Sequence, residues 1–136
     1  MTTRQGWLLT IALLGLGCGK SEPTTPASVR GRVYFQGRPL AGGVIAFAPD
    51  REKGNAGRPF QAIVTMDGTY AIPANPTAPI TPGWYNIAIA EPPGLYDEFS
   101  TIRFPSALRR PDRAGLAREI VPAQETVLDF LIEVPE

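Results

Sequence analysis

From Val29 onward the chain alternates. Val29, Gly31, Val33 and Phe35 fall on one face of an extended segment, and Arg30, Arg32 and Tyr34 fall on the other. A period of two marks a half-buried strand. Gln36-Gly37-Arg38-Pro39-Leu40 reads as a turn, and Gly43-Val44-Ile45-Ala46-Phe47-Ala48 as the partner strand, with Ile45 and Phe47 inward. Pro49 ends that strand, because proline cannot donate to a ladder. Residues 50–59 are charged and glycine-rich, the composition of a solvated loop. Phe60-Gln61-Ala62-Ile63-Val64-Thr65 and Thr69-Tyr70-Ala71-Ile72 flank Asp67-Gly68, a hairpin signal. Residues 73–82 carry four prolines and read as a loop, and Gly83 to Ala90 is the clearest strand, with Tyr85, Ile87 and Ile89 on one face. Residues 91–115 are long and irregular, with the makings of a short edge strand at Thr101-Ile102-Arg103-Phe104. Residues 116–121 and 126–134 suggest a closing hairpin across Pro122-Ala123-Gln124-Glu125, with Leu128, Phe130, Ile132 and Val134 on one face.

About seven short strands with turn signals between them predict an all-β fold, an antiparallel β-sandwich of immunoglobulin-like or prealbumin-like form. The expected core is Val33, Phe35, Ile45, Phe47, Tyr70, Tyr85, Ile87, Ile89, Phe130 and Ile132. Each such side chain contributes about 1.5–3 kcal/mol when buried. Composition agrees: 15 prolines and 14 glycines in 136 residues break helices and punctuate turns, which favours short strands.

Ahead of the alternating region stands a different pattern. Arg4 is followed by the apolar run Trp7 to Leu14, then Gly15-Leu16-Gly17-Cys18. The run is shorter than the roughly 20 residues that cross a bilayer. A basic residue, a short apolar core and small residues describe an export signal. Gly17-Cys18 resembles the end of a bacterial lipobox, which implies cleavage before Cys18 and a diacylglyceryl thioether on its sulfur. Residues 1–17 are therefore expected to be a lipoprotein signal peptide and residues 18–28 a flexible tether. Residues 29–136 are expected to form one domain. The tether reaches roughly 30 Å when extended. Acylation by more than one chain holds a protein on a membrane lastingly.

Charge and residue types narrow the chemistry. Without Arg4, the 13 basic residues become 12 against 13 acidic ones, a net charge of −1. That is not the basic footprint of a nucleic-acid binder. There is no histidine, which excludes the usual Ser-His-Asp and Cys-His mechanisms and imidazole zinc sites. Cys18 is the sole cysteine, so no internal disulfide can form.

Five motifs in order resemble carboxypeptidase-regulatory-like domains, also called transthyretin-like or prealbumin-like. They are Val29-Arg30-Gly31-Arg32-Val33, Gly37-Arg38-Pro39-Leu40 with Val44 to Pro49, Asp67-Gly68-Thr69-Tyr70, Pro82-Gly83-Trp84-Tyr85-Asn86-Ile87, and Val127 to Ile132. The similarity is greatest to short lipoproteins of planctomycete-type bacteria. It implies a non-catalytic cell-envelope domain without a cofactor, exported and lipid-anchored at the periplasmic or outer surface. The membrane, through Cys18, and an envelope protein or polysaccharide are the expected partners.

Candidate sites are few. Arg109, Arg110, Arg113 and Arg118 form a basic run for lipid headgroups or an acidic polymer, or a solvated loop balanced by Asp112 and Glu119. Trp84 and Tyr34 alternate with core positions and are expected to face outward as an interaction surface. Asp67 offers one carboxylate where calcium takes six to eight oxygens, so a turn role is expected and no metal site. Asp97 and Glu98 are adjacent carboxylates, a poor arrangement for glycoside cleavage, where the two groups flank one bond. The alternative function is a small-ligand or carbohydrate binder whose pocket lies under residues 91–115.

Overall fold

The alternation at residues 29–35 becomes the central strand of one of two sheets. A computed structural model describes residues 27–95 and 101–135. The expected signal segment, Cys18, most of the expected tether, and Asp97 with Glu98 lie outside the described residues. The strands are β1 (Ser28–Phe35), β2 (Arg38–Pro39), β3 (Val44–Pro49), β4 (Phe60–Ile63), β5 (Thr69–Ile72), β6 (Gly83–Ala90), β7 (Ala117–Ile120), β8 (Glu125–Val127) and β9 (Phe130–Ile132). Two 3-10 turns, Arg51–Lys53 and Ser106–Arg109, are the helical elements among the described residues. Ala27 is already buried and Ser28 opens β1, so the fold begins two residues before the expected domain boundary.

The first sheet is organised around β1. One edge of β1 pairs antiparallel with β5, Val29 opposite Ile72, and then with β2, Phe35 opposite Arg38. Its other edge pairs parallel with β8, Ser28 opposite Glu125, and then with β9, Phe35 opposite Ile132. The second sheet has the order β4-β3-β6-β7 and is antiparallel throughout. Its longest register runs from Val44 opposite Ala90 to Pro49 opposite Tyr85.

The interior between the sheets holds all ten expected core residues, and Val29, Leu40, Val64, Ile80, Phe104 and Ile120 join them. Phe47 is the aromatic centre. It stacks on Phe60 at 4.7 Å between ring centroids, and Tyr70 and Tyr85 lie 6.2 and 6.3 Å away. Such pairs add about 0.5–1.5 kcal/mol beyond area burial.

The structure corrects four expectations. Among the described residues nine strands are present rather than about seven, because β2 is a separate two-residue strand and the last apolar run is split in two. The two strands flanking Asp67-Gly68 are not a paired hairpin. The turn closes locally, Thr65 N donating to Thr69 O at 2.8 Å, but β4 joins the second sheet and β5 the first. Nor do residues 116–121 and 126–134 pair: β7 ends beside β6, and the chain crosses at 121–124 into the first sheet. Local alternation marks both strands, but it carries no information on which edge each will find. The segment 101–104 is not a strand. Phe104 is anchored instead by its ring, 5.2 Å from that of Phe35.

Candidate functional site

The motif residues are absorbed by the scaffold. At Gly31 a Cβ would lie 1.8 Å from the carbonyl oxygen of Leu128. That carbonyl occupies the place of a side chain on the inner face of β1, and the Tyr70 hydroxyl donates to it at 2.7 Å. The chain comes this close because it breaks at Leu128-Asp129, between β8 and β9. There Leu128 N donates to Arg30 O at 2.9 Å, and Asp129 Oδ1 accepts from Arg32 N at 2.9 Å. Burial pushes the Tyr70 hydroxyl well above its ordinary pKa, with the charge of Asp129 adding to the effect. The Tyr85 hydroxyl donates to Thr81 O at 2.5 Å, the geometry of a tyrosine corner at the start of a strand. Burial raises its pKa as well.

Asp67 serves its own turn. Its Oδ1 accepts from the hydroxyls of Thr65 and Thr69 and from Thr69 N. Those donors hold the carboxylate down at about 2, the Thr65 hydroxyl contributing most. Gly68 takes φ 83, and its carbonyl accepts from Val33 N at 2.8 Å, stitching the turn to β1. Among the described residues no three histidine, cysteine or acidic side chains converge on a point that could hold a metal ion.

The four arginines do not converge. Arg109 is paired with Glu91, its Nε at 2.9 Å from Oε2. Arg110 is paired with Asp112 at 3.1 Å, both well exposed. Arg113 is exposed and makes no ion pair with a described residue. These three belong to the segment that crosses the outer face of the second sheet. The 3-10 turn Ser106–Arg109 packs on β6, and Ala88, whose side chain points away from the core, is buried in consequence. Arg118 goes elsewhere. It stands opposite Tyr85 in the β6–β7 register, and its guanidinium carbon lies 5.3 Å from the centroid of the Phe130 ring, at the open edge between the sheets.

Trp84 and Tyr34 do face outward, but on different sheets. Tyr34 lies between Pro39 and Leu131 on the outer face of the first sheet. Trp84 lies opposite Glu119 on the outer face of the second, half-buried, with Lys53 Nζ 4.0 Å above its ring. Asn55 fixes that corner. It is buried, its Nδ2 donates to Trp84 O at 2.9 Å, and its Oδ1 accepts from Gly57 N at 2.9 Å. The sequence gives no warning of this role, since Asn55 sits in a stretch that reads only as a polar loop.

Among the described residues three open clefts are large enough to note. The largest, about 700 Å³, is lined by residues 56–60 and 72–81, with Phe60, Ile72 and Ile80 among its apolar walls and Arg58 its one charged residue. A second, about 440 Å³, runs over the outer face of the first sheet beside Arg30 and Arg32. The smallest, about 300 Å³, is where Pro111 meets Ala46 and Ala48. Of the segment 91–115, under which a pocket is expected, residues 105–114 lie on the outer face of the second sheet, Phe104 is buried in the core, and residues 96–100 lie outside the described residues. The proline-rich composition of 73–82 was the only sequence sign of the largest cleft. No family model and no curated protein matches this chain.

Proposed function

We propose that this chain is a non-catalytic, lipid-anchored β-sandwich of the bacterial envelope that works as a structural or protein-interaction module. One observation carries the reading: the residues of the five motifs are used by the fold itself. Gly31 makes room for Leu128 O, Asp67-Gly68 closes a turn, and Tyr70 and Tyr85 tie distant backbone. A signature spent on the scaffold leaves function to the surface. The anchor rests on the lipobox resemblance at Gly17-Cys18.

The test is fatty-acid labelling and cross-linking in intact cells, with wild type beside Cys18→Ser. Label on wild type alone, and one envelope protein recovered only with the anchored form, supports the proposal. Equal label on both variants ends the anchor, and hydrolytic turnover by the purified domain ends the non-catalytic reading.

A second reading, small-ligand or carbohydrate binding, has the cleft of about 700 Å³ in its favour, a volume in the range of ligand sites. A rise in melting temperature with envelope oligosaccharides, lost in Phe60→Ala, would establish it.

A further inference from the structure

The strand registers place one end of the sandwich beside the point where the chain enters. β5 ends at Ile72, next to the start of β1 at Val29. The loop 73–82 leads from there to the start of β6. Pro49, at the end of β3, stands opposite Tyr85, so residues 50–59 lie at this same end. β7 finishes at Ile120 opposite Gly83, and residues 121–124 carry the chain to Glu125 opposite Ser28. Three loops and the entry at Ala27 therefore share one end. The turns at 36–37 and 65–68 lie at the other.

Reach decides which end can meet a lipid surface. Residues 19–26 separate Cys18 from Ala27, and a chain of that length spans no more than about 30 Å. β1, with eight residues, is about 26 Å long. Bringing the far end to the membrane would take nearly the whole reach of that segment, drawn straight along the body. The near end needs none of it.

The chemistry of the near end suits a lipid surface. Residues 73–82 and 121–124 contain no acidic side chain. Residues 50–59 hold Arg51, Lys53 and Arg58 against Asp50 and Glu52, and the Asp50 carboxylate is turned back to accept from Glu52 N at 3.1 Å. Trp84 stands at this end, with the Lys53 ammonium over its ring. An indole beside a cation is the pairing that settles at the boundary between headgroups and acyl chains.

We propose that this end, formed by residues 50–59, 73–82 and 121–124 with Trp84 at its rim, is the face that rests on the membrane, and that the opposite end is presented outward. The inference rests on the lipid anchor proposed above.

Trp84 is its own reporter, because the only other tryptophan, Trp7, lies in the segment expected to be removed. The mature lipidated chain is reconstituted in vesicles of phosphatidylcholine and phosphatidylglycerol, with phosphatidylcholine brominated near its headgroup as quencher. Trp84 emission is expected to fall more than about twofold and to shift to shorter wavelength, as for an interfacial indole. Two comparison chains carry Trp84→Phe with a tryptophan elsewhere. Met66→Trp, 82% exposed, probes the far end, and Leu131→Trp, 74% exposed, probes the outer face of the first sheet. Both are expected to stay unquenched. No quenching of Trp84, or equal quenching at either comparison site, overturns the proposal. Intact mass reports the lipid on Cys18 separately. If the lipid is absent, the anchor reading falls by itself, and coupling the Cys18 thiol to a maleimide phospholipid supplies the same attachment point, so that the orientation is still read.

Discussion

Gly31 shows how much one position can decide. Alternation puts it on the inner face of β1, where a strand ordinarily carries an apolar side chain. The Leu128 carbonyl fills that space, 1.8 Å from where a Cβ would stand. Gly31→Ala must therefore push β1 and the β8–β9 break apart, and a loss of at least about 3 kcal/mol is expected in urea unfolding, at the severe end of overpacking. Tyr70 answers the same carbonyl. Tyr70→Phe keeps the ring and leaves a buried acceptor unpaired, at an expected cost of roughly 1–3 kcal/mol. Its raised pKa also sets a pH dependence. In the unfolded chain the phenol ionises near its ordinary value of 10, while the folded state keeps the proton. The stabilisation is thus complete below about pH 10 and is lost as pH rises toward the folded value. The wild-type melting temperature should fall on the alkaline side, and Tyr70→Phe should flatten that fall. An equal slope in both would remove Tyr70 as the cause.

Among the elements, the loop 50–59 is tied to β6 by one buried polar side chain, Asn55. Asn55 bonds to Trp84 O and Gly57 N, and Asp50 N donates to the same Trp84 carbonyl at 2.9 Å. Asn55→Ala is expected to cost about 1–3 kcal/mol and to expose the loop to limited proteolysis by trypsin after Arg51 or Lys53 before the sandwich is cut. Unchanged trypsin sensitivity would mean that the strands alone hold the loop. The segment 105–114 is the contrasting case. Its place on the outer face of β6 rests on packing over Ala88 and on the Arg109–Glu91 pair. Its sequence, without periodicity, shows none of this.

Over the whole molecule, stability comes from the shared interior. Val33, Leu40, Ile45, Tyr85, Ile87, Ile89 and Ile120 are fully enclosed between the sheets. Cys18 is the only cysteine, so no disulfide contributes within the chain. A reductant is expected to leave the melting temperature unchanged, and a shift of several degrees would point to a bridge between chains.

The sequence by itself determined most of the strand-forming segments, though not β2, the break at Leu128-Asp129 or the lack of a strand at 101–104, and it determined the inward residues and the main turns. Those are local properties: side chains alternate every two residues, glycine accepts φ 83 at Gly68, and proline ends β3. All ten expected core residues are buried for that reason. Only the tertiary structure decided which edge each strand joins, because backbone hydrogen-bonding groups are the same in every strand. Hence β4 and β5 part after a tight turn, and β8 and β9 run parallel to β1 rather than folding back on β7. The same nonlocal choice turned Arg118 toward Phe130 and put Tyr34 and Trp84 on opposite faces. It also gathered three polar or proline-rich loops at the end where the chain enters.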